Sequence, residues 1–523
     1  MTRSVPGRTD HVVVVGAGLS GLSATLHLLG AGRQVTVVER GAGPGGRAGR
    51  VDVGGFLVDT GPTVLTMPHL IDEALAAVGA SLDGRLELRE LHPAYRARFA
   101  DGSRLEVHTA ADAMEEEVRR FAGPREAAGY RRLRQWLEQM FRVQMPRFID
   151  TNFDSPRDVL HRDLLALARL GGFGRLDAQV SRFLRDERLR RVFSFQALYA
   201  GVSPARALAA YAVIAYMDTV AGVYFPRGGV HAVATALADA AAEAGARLEW
   251  DSEVTALERS GDRVRAVITA RGQRLACDAV VLTCDLPMAY RLLGRTPRRV
   301  PRLRHAPSAV VLHVGTDRTW DDLAHHTLFF GRAWRQTFTE VTRAGRLMTD
   351  PSLLVSRPTT HDPALAPPGK HLHSILAPCP NTATGPSAGT WRTLAPRYRD
   401  VLVRELERRG LTGLDAAVEH ELLFTPADWT DAGMAAGTPF SAAHTLAQTG
   451  PFRPRNLVAG IDNAVLAGCG TTPGVGIPPV LISGKLAAAR ITGPHRRTPR
   501  RTGAPPRAAV PRPPAPPRTG TGV

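Results

Sequence analysis

The stretch that decides the fold is HVVVVGAGLSGLSATLHLLGAGRQVTVVER, residues 11–40. Val12–Val15 is a short β-branched run, and Gln34–Val38 is a second apolar run that ends at Glu39. Between them, Leu22–Leu29 has the composition of a helical segment. The order predicts strand, turn, helix and strand, which is the βαβ unit of a nucleotide-binding domain.

The turn after the first strand reads Gly16-Ala17-Gly18-Leu19-Ser20-Gly21, with Glu39 at the end of the second strand. Gly16 allows a tight turn, Gly18 lets the backbone approach a pyrophosphate, and Gly21 permits close packing of helix on strand. The helix N-terminus points N–H groups at the phosphates, and Glu39 can bind ribose hydroxyls. A glycine motif alone is weak evidence, but strand, helix and acid together predict a dinucleotide site. The acid argues against a 2′-phosphorylated cofactor.

The glycine turn does not choose between NAD and FAD, but the next segment does. Gly45-Gly46-Arg47 follows the acid within PGGRAG, and in flavoproteins with two dinucleotide folds such a segment helps to hold the pyrophosphate. The alternative is a flexible basic loop. Asp59-Thr60-Gly61-Pro62-Thr63 follows shortly after and weakens that alternative. We therefore expect FAD as the cofactor.

A second glycine-rich segment lies at residues 456–485, NLVAGIDNAVLAGCGTTPGVGIPPVLISGK. The strand Ala464–Leu466 leads into a loop that carries Gly468, Cys469 and Gly476, and a helix is predicted to start near Pro478. Glycine-rich backbone beside a helix N-terminus suits the electron-rich end of a reduced flavin. The alternative is an ordinary strand-to-helix connection.

Composition sets the class of protein. The 523 residues exceed what one core usually serves, and 44% are hydrophobic, so we expect two or three globular domains. The formal charge is +17, of which seven arginines lie in the Pro- and Arg-rich tail at 494–523, which we interpret as disordered. This location favours a membrane surface over nucleic acid as the basic protein's partner.

Cysteine spacing and the lack of a recognisable leader or membrane-spanning segment predict the cellular location of the protein. Cys277, Cys284, Cys379 and Cys469 show no CxxC spacing, which is typical of reduced cytosolic thiols. No secretory leader and no span of about 20 apolar residues is seen. We expect a cytoplasmic protein lying on the inner face of the cell membrane. No metal-ligand spacing is found, and no residue is assigned a catalytic role.

The middle of the chain is less distinctive. Residues 81–224 are predicted to be mostly helical, a substrate and membrane-associating insertion, and residues 291–449 a mixed α+β substrate domain. Ser203–Val220 is predicted as the most apolar helix, facing either the substrate or the core. An FAD-binding α/β domain of Rossmann type would be assembled from 1–80, 225–290 and 450–493.

The chain from about residue 10 to 493 resembles the bacterial-type phytoene desaturases, FAD-dependent enzymes of the carotenoid desaturase, isomerase and ketolase superfamily. The resemblance rests on the opening βαβ unit, on PGGRAGR, DTGPTVLTMP and FPRGG, and on RPRNLVAGIDNAVLAGCGTTPGVGIPPVLISGK. Many relatives have a histidine after the threonine of the AGxGT segment, whereas this chain has Thr471-Thr472. That departure puts a proton-handling role at this position in doubt.

The resemblance implies a role toward FAD for fifteen residues. Those expected to bind the pyrophosphate, ribose and adenine are Gly16, Gly18, Gly21, Glu39, Gly45, Gly46, Arg47 and Val254, and those expected near the flavin are Gly61, Pro62, Thr63, Gly468, Cys469, Gly476 and Ile477.

The implied reaction is stepwise dehydrogenation of phytoene, a long-chain carotene, towards lycopene. The flavin would take a hydride and be reoxidised by oxygen or a membrane quinone, while the protein supplies alignment and a dry channel. The alternatives are a flavoenzyme of the same fold, such as a carotenoid isomerase, a ketolase or an amine oxidase. From another class, a non-catalytic prenyl-binding escort protein also remains open.

Overall fold

The computed structural model describes residues 3–493, so the predicted tail at 494–523 lies outside the described residues. The strands are β1 (His11–Val15), β2 (Gln34–Val38), β3 (Arg50–Val53), β4 (Phe56–Asp59), β5 (Leu88–Glu90), β6 (Tyr95–Phe99), β7 (Arg104–Val107), β8 (Tyr224–Pro226), β9 (Arg247–Glu249), β10 (Val254–Ser260), β11 (Arg263–Thr269), β12 (Arg274–Ala276), β13 (Ala279–Leu282), β14 (Ser308–Thr316), β15 (His326–Phe330), β16 (Leu353–Ser356), β17 (His371–Cys379), β18 (Val418–Phe424) and β19 (Ala464–Leu466). The α-helices are α1 (Leu19–Gly30), α2 (His69–Ala76), α3 (Ala111–Ala122), α4 (Pro124–Gln144), α5 (Arg162–Arg169), α6 (Leu176–Val180), α7 (Glu187–Val192), α8 (Ala212–Thr219), α9 (His231–Glu243), α10 (Leu286–Leu292), α11 (Trp334–Thr339), α12 (Ala388–Arg408), α13 (Leu414–Ala417), α14 (Pro426–Asp431) and α15 (Ile477–Thr492). Short 3₁₀ and π turns lie between them.

The first layer is a five-stranded parallel sheet in the order β19-β13-β1-β2-β9. Both of its faces are covered, which explains the uninterrupted valines of β1. Val12 and Val14 pack against the core formed with α1, α9 and α15. Val13 and Val15 pack against the core of a three-stranded sheet, β10-β11-β12. The predicted βαβ opening is confirmed.

The second layer is a seven-stranded mixed sheet in the order β18-β14-β17-β16-β15-β6-β7. Its strands are antiparallel except for the parallel pair of β15 with β6. One core lies between this sheet and α12, where Trp391 and Leu402 are fully buried with Leu312. A separate core joins β6 and β15 to helices of residues 111–219.

The prediction that residues 81–224 are mostly helical is wrong at the start of this range. Residues 88–107 form β5, β6 and β7. The segment Tyr95–Phe99 alternates buried apolar residues with half-exposed arginines, which is the two-residue period of a strand. The predicted helix Ser203–Val220 is also shorter, because Leu208 forms a bridge with Arg175 and α8 begins only at Ala212. The domain limits stay a prediction.

Two distant helices meet on the five-stranded sheet. A Cβ atom added to Gly484 of α15 would lie 2.3 Å from the carbonyl oxygen of Ser20 in α1. The Ser23 hydroxyl donates to the Leu481 carbonyl at 2.7 Å. The C-terminal glycine segment is therefore held beside the first glycine turn. Within residues 3–493, no helix has both the length and the hydropathy to cross a bilayer.

Candidate functional site

The three glycines of the first turn differ in whether the surrounding protein leaves room for a side chain. Gly16 has φ +105°, and an added Cβ would lie 2.4 Å from the Thr283 hydroxyl. An added Cβ at Gly21 would lie 2.0 Å from the Gly16 carbonyl oxygen. At Gly18 the nearest protein atoms would be 3.8 Å away, and φ is −72°. The fold itself requires Gly16 and Gly21, whereas Gly18 leaves bare backbone for a group from outside the chain to approach.

The second glycine pair flanks this bare backbone. The Gly45 N–H donates to the Ala17 carbonyl at 3.0 Å. Gly46 has φ +57°, and its added Cβ would lie 3.1 Å from the Cα atom of Gly18. The predicted pyrophosphate loop and the first turn therefore form one cradle lined by main chain, at the N-terminus of α1.

Arg47 joins the two glycine-rich segments directly. Its guanidinium donates to the Cys469 sulfur and lies 3.3 Å from Oδ1 of Asp285, a residue that follows β13. The second oxygen of Asp285 accepts from the Ala435 N–H at 2.7 Å. Nε of Arg47 is buried without a hydrogen-bond partner among residues 3–493. This free donor in a cationic group suits an anionic ligand such as a pyrophosphate.

Glu39 lies where the sequence predicts it, at the end of β2. Its Oε2 accepts from the Ala17 N–H at 2.7 Å and its Oε1 from the Gly41 N–H at 2.9 Å. A carboxylate has about four acceptor positions, so both oxygens keep capacity for hydroxyl donors. The Ser252 N–H donates to the Glu39 carbonyl, which brings the loop before Val254 to the same end of the cradle.

The C-terminal loop closes the site from the other side. Gly468 has φ +106°, and an added Cβ would lie 3.4 Å from the Ser20 hydroxyl of α1. Its N–H donates to the Ser483 hydroxyl of α15 at 3.0 Å. Gly476 has φ +114° and precedes Ile477, the buried first residue of α15. Two helix N-termini, those of α1 and α15, thus border the same region.

Arg453 is a positioning residue that the sequence did not reveal. It is 1% exposed. Its Nε donates to the Thr471 carbonyl at 2.9 Å and its Nη2 to the Cys469 carbonyl. Nη1 reaches the carbonyls of Ala442 and Gln448, both at 3.3 Å. Burial lowers the pKa of Arg453 to about 10. Nothing in the sequence distinguishes this arginine from the many others.

Thr471 is the threonine of the AGxGT segment, directly before Thr472, where many relatives are expected to have histidine, and it holds the loop. Its hydroxyl donates to the Gly468 carbonyl at 3.1 Å and lies 3.1 Å from the Ser483 hydroxyl. The side chain is buried and fully engaged. The structure gives it a loop-stabilising contact rather than a free proton-transfer group.

The segment predicted to line the flavin connects the cradle to the seven-stranded sheet. An added Cβ at Gly61 would lie 1.9 Å from the Arg47 carbonyl oxygen. Two residues on, beyond the half-buried Pro62, the Thr63 carbonyl accepts from Nε2 of His326 at 3.1 Å. The Thr63 hydroxyl accepts from the Ser356 hydroxyl at 3.1 Å. The roles of these residues toward FAD stay predictions, but their positions link both layers.

A cavity of about 380 Å³ lies beside the C-terminal loop. Its wall is largely apolar and includes Leu208, Leu303, Val341 and Leu446. His444 lines it too, and an added Cβ at Gly474 would lie 2.2 Å from that imidazole ring. Burial holds the pKa of His444 well below its usual value, so the ring is neutral. The cavity therefore extends from exposed Leu446 to neutral His444, whose ring lies beside Gly474 of the glycine loop.

Comparison with known proteins agrees with this geometry. The family model for flavin containing amine oxidoreductases matches residues 19–492. The chain is 70% identical over 498 residues to a phytoene dehydrogenase of Streptomyces griseus, covering 95% of this chain and 98% of that protein. It is 35% identical to a zeta-carotene-forming phytoene desaturase of Myxococcus xanthus, over 94% of this chain and 95% of the relative. It is 33% identical to a lycopene-forming phytoene desaturase of a Paracoccus strain, over 91% and 96%.

The fold also matches solved structures. An oxidoreductase of Methanosarcina mazei superposes with a TM-score of 0.60 at 16% identity, covering 91% of this chain and 98% of that one. The predicted FAD-binding α/β fold is thus confirmed, while a membrane-associating role for residues 81–224 stays a prediction.

Proposed function

We propose a carotenoid desaturase function for this chain, which belongs to the family of phytoene desaturases within the flavin-containing amine oxidoreductases. It is an FAD-dependent oxidoreductase that removes hydrogen from CH–CH groups of phytoene, stepwise towards lycopene. The observation that carries the proposal is the contact of Arg47 with Cys469, which joins both glycine segments around the bare backbone of Gly18.

The residues present fit FAD. Gly18, Gly46 and the free Nε of Arg47 would hold the pyrophosphate, and Glu39 would bind the ribose. Gly468 and Gly476 would border the isoalloxazine through their main chain. When bound, the flavin supplies the two-electron acceptor that the side chains of the protein lack. Oxygen or a membrane quinone would take up the electrons.

The chain's own contribution is to admit, align and keep dry a long hydrocarbon. The cavity between Leu446 and His444 offers an apolar approach to the C-terminal loop. Neutral His444 adds no charge to that path. Exclusion of water protects a cationic polyene from side reactions. The apolar wall and the neutral ring therefore support the carotene as substrate.

The test begins with the absorption spectrum of the purified protein. We expect bound FAD, bleaching of the flavin by phytoene without oxygen, and a pigment with more conjugated double bonds. A colourless protein that cannot be reconstituted with FAD would favour the prenyl-binding escort. Product with an unchanged hydrogen count would indicate an isomerase, and product with added oxygen a ketolase.

We also propose that the protein lies on the inner face of the cell membrane through one surface patch. Seven large apolar side chains are well exposed in residues 3–493, and five belong to two segments, 160–173 and 446–452. These segments are adjacent, because the turn Gly450–Phe452 packs on the turn Pro156–Val159. The five side chains of this docking patch are Leu160, Leu165, Phe173, Leu446 and Phe452.

Arginines surround the docking patch and the cavity mouth. Arg175, Arg206 and Arg304 line the cavity and are exposed, and Arg162 and Arg169 bound the helix that carries Leu165. Apolar side chains flanked by cations suit an anionic lipid surface. A carotene dissolved in the bilayer would then enter the cavity directly from the membrane.

Vesicle sedimentation tests the docking patch. Replacing Leu160, Leu165 and Phe173 together by serine should weaken binding to phosphatidylglycerol vesicles about tenfold or more, since each buried apolar side chain contributes roughly 1.5–3 kcal/mol. The matched control replaces the remaining exposed pair, Val51 and Val401, by serine, which should leave binding unchanged. Equal binding by both variants would refute the patch.

A further inference from the structure

A buried carboxylate lies between the two layers of the molecule. Asp218, near the end of α8, is 4% exposed. Val213 and Met217 of the same helix belong to the core of the five-stranded sheet. Ala212 and Ala215 belong to the core that contains β6 and β15. Asp218 therefore lies among apolar side chains, where the layer of the five-stranded sheet meets the layer of the mixed sheet.

Asp218 differs from the other buried carboxylates of residues 3–493. Glu39, Glu117, Glu126, Glu340 and Asp362 each accept a hydrogen bond from at least one backbone N–H. In the same part of the chain, Asp218 has no ion pair, and its Oδ2 atom has no hydrogen-bond partner. An uncompensated buried carboxylate is costly, so its retention requires a reason other than stability.

The groups that face Asp218 are phenolic. Tyr95 of β6 and Tyr199 are its polar neighbours, and the Tyr95 hydroxyl is directed at both Asp218 and Tyr199. Burial raises the pKa of Asp218 to about 7, and the Tyr95 hydroxyl opposes that shift. The carboxyl group thus titrates where it can both accept and release a proton at neutral pH.

A line of buried rings connects this carboxylate to the cofactor loop. The Tyr95 ring lies 5.5 Å from the ring of His326, whose Nε2 donates to the Thr63 carbonyl. Burial lowers the pKa of His326 to about 4, so it is neutral and supplies no counter-charge to Asp218. Thr63 belongs to the segment predicted to line the flavin. The line runs from Thr63 through His326 and Tyr95 to Asp218.

Two other acids of the described chain, Asp150 and Asp59, already hold a cation. Asp150 pairs with Lys485 at 2.6 Å, and Asp59 pairs with Arg50 at 3.1 Å while accepting from the Val230 N–H. Each of these two carboxylates is thus occupied by a cation, although burial raises the pKa of Asp59. Asp218, in contrast, has no cation paired with it among residues 3–493.

We propose that Asp218 is the proton acceptor of the desaturation, with Tyr95 as its positioning residue; the inference rests on the proposed desaturase function. A bound flavin would supply the acceptor for the hydride that leaves the allylic carbon, and a C–H bond on the adjacent carbon would break. Its electron pair becomes the second bond of the new alkene, and the proton passes to Asp218. The substrate loses two hydrogens, and the carboxyl group later releases its proton to solvent.

The test compares Asp218→Asn with the wild-type holoenzyme. We expect kcat to fall about 10²–10⁴-fold, the usual contribution of a positioned acid or base, with FAD content unchanged. The wild-type kcat should rise with pH through about 7, because the acceptor must be ionised. Glu126→Gln makes the same chemical change at a hydrogen-bonded carboxylate and should leave the pH profile unchanged.

Two further measurements keep the inference falsifiable. Tyr95→Phe removes the hydroxyl that favours the carboxylate, so the pH profile should move to higher pH; an unchanged profile would overturn the role. Infrared spectra should show a protonated carboxyl band that titrates near neutral pH and disappears in Asp218→Asn. Absence of that band, or wild-type kcat in Asp218→Asn, would overturn the proposal. A flavin-loaded wild-type enzyme that shows the band but leaves phytoene unchanged would instead overturn the desaturase function.

Discussion

The layer of the five-stranded parallel sheet, with its glycine cradle, and the layer of the seven-stranded mixed sheet differ in how many buried polar atoms lack a hydrogen-bond partner. Among residues 3–493, buried side-chain nitrogen and oxygen atoms without a hydrogen-bond partner lie in residues 95–218 and 313–398, with one exception. The exception is Nε of Arg47, inside the cradle itself. Native proteins pair such atoms almost completely, so unpaired ones cluster where another requirement outweighs stability. Apart from this one donor, the cradle pairs its buried side-chain polar atoms, whereas the mixed-sheet layer leaves several unpaired.

Arg453 and Asp218 illustrate the contrast. Both are buried ionisable groups without an ion pair in the described chain. Arg453 donates to four carbonyls, so its burial builds the loop that carries Cys469. Asp218 has no such compensation. The buried Arg453 stabilises the conformation of the loop, whereas the buried Asp218 is free to take part in proton transfer.

The largest expected effect comes from Gly21→Val. Because an added Cβ would lie 2.0 Å from the Gly16 carbonyl, the first turn and α1 cannot both keep their positions. We expect loss of the folded protein, measured by circular dichroism and soluble yield. The matched variant is Gly18→Val, which has room within the chain. It should fold with the stability of the wild-type apoprotein and fail to retain FAD; a yellow Gly18→Val protein would contradict the bare-backbone argument.

Arg453→Met should lower the free energy of unfolding by about 3–5 kcal/mol, since several buried carbonyls each lose a partner worth roughly 1–3 kcal/mol. Denaturant unfolding of the apoprotein measures this loss. Arg455→Met, at an exposed neighbouring position, is the control and should change stability by less than about 0.5 kcal/mol. Equal stability of the two variants would show that the loop does not depend on the buried guanidinium.

Asp218→Asn should raise the free energy of unfolding at neutral and alkaline pH, whereas Arg453→Met lowers it. The folded-state pKa of Asp218 is raised to about 7, so the folded state prefers the protonated form. Its contribution to stability is fully present below the unfolded pKa of about 4 and is lost as pH rises through 7. The variant should therefore match the wild type near pH 4 and exceed it by a few kcal/mol at pH 8. A difference between the two proteins that does not vary with pH would contradict this.

The sequence predicts the cradle well because its rules are local. The spacing of Gly16, Gly18 and Gly21 between two apolar strands is enough to place a turn against a helix, and Glu39 follows from the second strand. The strand Tyr95–Phe99 also shows a two-residue period in the sequence, which the prediction of a mostly helical 81–224 overlooked. The remaining features of the site depend on tertiary packing, which the local sequence does not encode. Asp285 and Asp218 acquire their properties from residues more than a hundred positions away, and Arg453 from carbonyls of loops that only the fold brings around it.

The contact between Arg47 and Cys469 has a consequence for biosynthesis. A nascent polypeptide that stops before residue 469 already contains the first glycine turn but lacks the C-terminal glycine segment that Arg47 contacts. The last strand of the parallel sheet, β19, and the helix that follows it are translated after residues 81–224 and 291–449. We therefore expect flavin capture to be a late event in maturation, with yellow colour developing only after residue 476 has been translated and assembled.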